Sequence, residues 1–190
     1  MKRISRLFVV ALTLLASLCT TTAYADGLEP SAMTIYRIEN VSNGRYLSNG
    51  DNMNNDARII FAADNASSFG QEWALYPTEV DGVIILVNPT SGKALDMAPG
   101  VGYPVQWNYE PANPNQQFLL IEVEPDIYKL ANAANPYQYL GASGSYPTMS
   151  YNLSGNAILF RFHDTGKRQA LPPTSGKTFV ISNVANKEVF

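Results

Sequence analysis

Apolar positions along this chain recur every second residue over short stretches, and the stretches themselves recur. Tyr36 and Ile38, Ile84 and Leu86, and Tyr128 and Leu130 each lead to an asparagine, at Asn40, Asn88 and Asn132. The fullest shared phrase runs from Tyr36 to Leu47 and is matched from Ile84 to Leu95. It returns loosely from Tyr128 to Leu140 and restarts at Phe179 to Asn183, with successive offsets of 48, 44 and 51 residues. Self-similarity at this period marks one supersecondary unit copied along the chain.

Each copy has the same internal order. After the asparagine and a small polar turn comes a second strand (Arg45 to Leu47, Lys93 to Leu95, Gln138 to Leu140). A third follows a Gly/Asn/Pro loop (Arg58 to Phe61, Val105 to Trp107, Thr148 to Tyr151). An aromatic anchors the fourth, at Gln71 to Trp73, Gln116 to Phe118 and Ile158 to Phe160. Period-two alternation bounded by Gly, Pro, Asn and Asp is the mark of strands and turns, and no window carries a capped helical stripe. The chain is therefore expected to be all-β. Three four-stranded repeats are too few for a propeller of about four to eight blades. They suit a β-trefoil, a threefold closed barrel capped by hairpins, over residues 33–165. Residues 166–190 form a C-terminal extension: a linker through Gly176, then a partial repeat-like tail to Phe190. That tail is either an extra strand or the start of a second unit.

Composition narrows the function. Residues 1–25 have the layout of a secretory signal peptide: basic Lys2, Arg3 and Arg6, an apolar run from Leu7 to Cys19, and a small-x-small site at Ala23 to Ala25. The run is too short to span a bilayer. The expected location is secreted, or cell-envelope or periplasmic, after cleavage near Ala25. Removing this leader removes Cys19, the only cysteine, so an exported chain forms no disulfide and has no cysteine nucleophile. Ten basic and sixteen acidic residues remain, a net charge of −6 without a Lys/Arg run. Nucleic acid and membrane insertion are not expected. His163 is the only histidine, so no catalytic residue, metal or other cofactor is expected.

Gln71-Glu-Trp73 and Gln116-Gln-Phe118, each closing a copy that opens on the strand phrase, resemble the Gln-x-Trp signature of ricin B-type lectin domains. The third copy departs, with Ile158 where the glutamine would stand. The resemblance implies non-catalytic binding of a glycan or polysaccharide, unequally across the copies. Its pocket parts are an Asp after the second strand, an aromatic with a nearby Gln on the third, and an Asn-Gln pair before the closing aromatic. Copy two supplies all of them as Asp96, Gln106, Trp107, Asn115 and Gln116. Copy one has Ser48 and Gly70 at the Asp and Asn positions, and copy three has Gly141 and Ala157.

The chemistry suits a sugar. A carboxylate accepts hydroxyls in charge-assisted hydrogen bonds, amides donate and accept, and an aromatic face covers the pyranose C–H face. Alternation allows only one of Gln106 and Trp107 to face the pocket unless a bulge intervenes. Tyr109 is then the other platform candidate. Trp73 and Phe118 are expected to be core anchors. Two other classes remain: a trefoil protease inhibitor presenting Asp51 to Asp56 or Tyr146-Pro147 as a loop, and an accessory module of a larger secreted enzyme or adhesin.

Overall fold

The computed structural model describes residues 28–97 and 102–170. The leader, the tail from residue 171 and the short stretch 98–101 lie outside the described residues, and with them the signal-peptide and partial-repeat expectations.

Twelve strands form among the described residues, four per copy: β1 (Thr34–Asn40), β2 (Arg45–Ser48), β3 (Ile60–Ala62) and β4 (Trp73–Pro77), then β5 (Val83–Asn88), β6 (Lys93–Asp96), β7 (Val105–Asn108) and β8 (Phe118–Glu124), then β9 (Ile127–Asn132), β10 (Asn135–Ser143), β11 (Tyr146–Ser150) and β12 (Phe160–Arg168). The first and last strands of each copy close a six-stranded barrel through antiparallel pairs β1–β4, β4–β5, β5–β8, β8–β9, β9–β12 and β12–β1. Closure leaves the barrel without a free edge. The middle strands pair as hairpins β2–β3, β6–β7 and β10–β11. This is the β-trefoil. Its last strand runs to Arg168, and Gln169 N donates to the Met33 carbonyl at 2.9 Å, so the folded unit continues past residue 165.

The core repeats threefold. Ile38, Leu86 and Leu130 are fully buried, as are Leu47, Leu95 and Leu140, and Trp73, Phe118 and Phe160. Trp73 Nε1 donates to the Leu47 carbonyl at 3.0 Å, so its one polar group is satisfied inside. The recurring asparagine is a staple between copies. Asn88 Nδ2 donates to the Phe69 and Glu72 carbonyls at 2.7 and 2.8 Å, and its Oδ1 accepts from Ser91 N at 2.8 Å. Asn40 reaches back to Ala157 and Leu159 in the same way. In the turn that follows, Gly44 and Gly92 take φ of 63° and 66°, the left-handed region open to glycine.

Where alternation predicts continuous strands through the Gln-x-aromatic elements, the chain makes short 3-10 turns first: Phe69–Gln71, Pro114–Gln116 and Gly155–Ile158. Asn113 caps the second, accepting from Asn115 N at 3.0 Å, with Pro114 at the first helical position. The turns swing each glutamine beneath the preceding loop.

Candidate functional site

Asp96 is the last residue of β6 and is only 4% exposed. Its Oδ2 accepts from Gln116 Nε2 at 2.9 Å and from Asn113 Nδ2 at 3.3 Å. Gln116 is itself fixed: the same Nε2 donates to the Asn108 carbonyl at 2.8 Å, and its Oε1 accepts from Glu110 N at 2.9 Å. Met97 N donates to the Asn115 carbonyl at 3.0 Å, which ties Asn115 to the end of β6. The half-buried Asn115 side-chain amide makes no hydrogen bond among the described residues, and neither does Asp96 Oδ1. Asp96, Asn115 and Gln116 are thus brought together. Asn113 joins them, a residue that the Asn-Pro cap could have flagged and the Gln-x-aromatic signature does not.

Burial is the largest influence on the Asp96 carboxyl and raises its pKa; the Gln116 hydrogen bond opposes that and the Glu110 charge adds to it. A carboxylate in this setting has shed much of its water and gains from an incoming hydroxyl donor.

The register decides which third-strand side chain shares this face. Asp96 pairs with Val105 and Ala94 with Trp107, whereas Leu95, a core residue, pairs with Gln106. Partners across a ladder point the same way. Trp107 therefore lies on the Asp96 face, 38% exposed. Gln106, expected in the pocket, is instead interior. It holds the place taken by Phe61 opposite Leu47 and by Met149 opposite Leu140. Its amide is fully occupied there: Nε2 donates to the Asn52 and Asn54 carbonyls at 2.8 and 2.7 Å, and Oε1 accepts from Asn49 Nδ2 at 2.8 Å and Ser91 Oγ at 3.2 Å. A buried amide stays inside only with its hydrogen bonds met, and four partners meet them. Tyr109 is also 38% exposed and packs against Tyr76, with ring centroids 5.3 Å apart.

Copies one and three lack this arrangement for visible reasons. In copy one, Asp51, at φ 57°, turns its carboxylate onto Ser68 Oγ at 2.7 Å and Gly70 N at 2.6 Å. A Cβ on Gly70, the counterpart of Asn115, would stand 2.5 Å from both Asn49 Oδ1 and Asp51 N. In copy three, Gly141 replaces the Asp, and a Cβ there would meet the Ala157 carbonyl at 2.5 Å and Leu153 at 2.9 Å. Both positions are filled by their own loops. Among the described residues no three His, Cys, Asp or Glu side chains gather to hold a metal ion, and no helix is long and apolar enough to cross a membrane.

A trefoil with Gln-x-aromatic turns closing its first two copies defines a class of protein, and the comparisons agree with it. The profile described as ricin-type beta-trefoil lectin domain-like matches residues 28–102 and 70–153, and the chain belongs to that family. No curated protein matches it in sequence. Among solved structures it is similar to the designed 3-fold symmetric protein ThreeFoil, at 23% identity and TM-score 0.61, over 68% of this chain and 98% of that one. SeviL bound to asialo-GM1 saccharide matches at 16% identity and TM-score 0.57, over 70% and 98%. An exo-beta-1,3-galactanase from Clostridium thermocellum, 1,3Gal43A, matches at 21% identity and TM-score 0.61 over 70% of this chain but 30% of that one. At these identities the likeness is one of fold.

Proposed function

We propose that the protein binds carbohydrate without catalysis, through copy two, and that the leader-like residues 1–25 direct it out of the cytoplasm. The observation that carries the reading is Asp96, held by Gln116 and Asn113 near Asn115, whose amide has no partner among the described residues, and on the face of exposed Trp107. Carboxylate, amides and ring together match two hydroxyls and one apolar face of a pyranose. Family membership and a saccharide-bound structural neighbour point the same way. A shallow site that exchanges water hydrogen bonds for similar ones holds a single sugar with a dissociation constant on the order of 0.1–1 mM. Useful avidity then needs a multivalent glycan or a linked partner. A second reading, a targeting module of a larger glycan-acting protein, is favoured by the match to 30% of the galactanase.

The test is a glycan array of galactose-, N-acetylgalactosamine-, xylose-, mannose- and glucose-based oligosaccharides probed with the purified protein at high surface density. Binding to at least one series, displaced by millimolar free sugar, is the expected result. Silence across every series contradicts the reading.

A further inference from the structure

Copy two departs from copy one in a second place, away from Asp96. The outward face of β1 carries Arg37, paired with Asp64 and lying 4.4 Å from the Tyr46 ring centre, and Glu39, paired with Arg161 and His163. The same position in copy three is Lys129, 5.9 Å from the Tyr139 ring centre. In copy two the repeat alignment puts Ile85 where Arg37 stands and Tyr109 where Asp64 stands. The equivalence is structural: Gln71 Oε1 accepts from Asn65 N as Gln116 Oε1 accepts from Glu110 N, each the residue after the one compared. An ion pair with a largely buried arginine has been replaced by an aliphatic side chain covered by Tyr76.

Tyr76 covers Ile85, Val87 and Ala94, an apolar cluster separate from the barrel core, and packs on Tyr109. Beside it the β4–β5 hairpin and the loop before β8 enclose an open cavity of about 580 Å³. That lies within the span of ligand clefts, about 300–1,000 Å³. Tyr109, Pro77 and Val80 give it apolar wall, while Thr78, Glu79 and Gln117 line it with polar groups. Gln117 Nε2 donates to the Pro111 carbonyl at 2.9 Å, leaving its own carbonyl oxygen to accept. Val80 is 62% exposed.

The loop that lines the cavity through Tyr109, Pro111 and Ala112 also helps hold the Asp96 site. Tyr109 lies between Asn108 and Glu110, the two residues whose backbone holds Gln116, and Gln116 holds Asp96. Gln117 follows Gln116 directly. Ring, carboxylate and amide are the same three kinds of group found at the first site. We infer that this cavity is an extension subsite for a further residue of the same glycan, so that the protein prefers an oligosaccharide chain to a single sugar. The inference rests on the reading of copy two as a sugar site. The copy that keeps the acid is also the one whose loop before β8 lines this cavity, and one ligand lying across both would use both.

Ladders of one to five residues in the galactose, xylose and mannose series, titrated against the wild type and the Glu79→Ala and Val80→Asp variants, test it. Wild-type affinity is expected to rise roughly tenfold between one and three residues, about what one added aromatic contact supplies. Both variants should keep the monosaccharide affinity and lose that gain. Thermal melts show that each is folded, and Val80 is exposed enough to tolerate the change. A length dependence unchanged in both variants, or absent from the wild type, overturns the extension and leaves the Asp96 site standing. Unchanged binding in Asp96→Ala overturns the first site and the extension with it, as does wild-type silence on every ladder.

Discussion

Replacing Asp96 with alanine is expected to raise the dissociation constant of any glycan bound by copy two more than a hundredfold, with the fold intact. The carboxylate is the one ionised acceptor in the cluster, and a hydrogen bond to a charged group contributes about 1.5–3 kcal/mol. Two such bonds to neighbouring hydroxyls amount to at least about 3 kcal/mol, which carries a millimolar-range site beyond measurable affinity. The fold should survive because Gln116 keeps the Asn108 carbonyl and Glu110 N as partners. Isothermal titration with an array-selected sugar measures the loss; binding within threefold of wild type would discard the assigned pocket.

The asparagine variant separates charge from shape. Burial raises the folded-state pKa of Asp96, so the folded protein holds this proton more tightly than the unfolded chain does. The contribution of such a group to stability is full below the unfolded value, near 3.8, and is lost as pH rises through the raised folded value. Asp96→Asn should therefore melt higher than wild type at neutral pH, and the difference should vanish near about pH 3. Sugar affinity of the wild type should fall as pH drops through the same raised value, while the variant binds weakly throughout. The acid is kept at a cost to the fold, which a purely structural turn-former would not show.

The second large effect is expected from Gly141→Asp, which writes the acid of copy two into copy three. It should destabilise the protein by about 3 kcal/mol or more and create no second site. The added Cβ would meet a backbone carbonyl at 2.5 Å and Leu153 at 2.9 Å, so the chain must move. Overpacking costs about 1–3 kcal/mol, and a carboxylate with no amide partner adds its desolvation. Ile158 in place of the glutamine means that partner is missing. Urea unfolding measures the loss, and a variant as stable as wild type with doubled sugar stoichiometry would show that copy three is open.

These expectations come from different depths of the sequence. Repetition and alternation suffice for the twelve strands and for the core places of Trp73 and Phe118, both fully buried, because burying one face of each strand leaves few other solutions. The union of Asp96 with Gln116 follows from two motifs at fixed places in one repeat. The orientation of Gln106 does not follow, because alternation gives a period and not its phase; only the pairing of Leu95 with Gln106 turns that amide inward. Nor does copy one reveal in sequence that Asp51 fills its own pocket, which depends on a left-handed backbone at that residue. The meeting of Tyr109 with Tyr76 joins side chains of different copies, and only the closed barrel brings them within 5.3 Å.

The most direct measurement uses the two tryptophans as reporters. In an amide and indole NMR titration with the best array-selected sugar, the Trp107 indole and the Asn115 and Gln116 side-chain amides should shift together along one binding curve. The Trp73 indole, buried on the Leu47 carbonyl, should stay still. Shifts confined to copies one or three, with Trp107 and Asn115 unmoved, would contradict a sugar site built around Asp96.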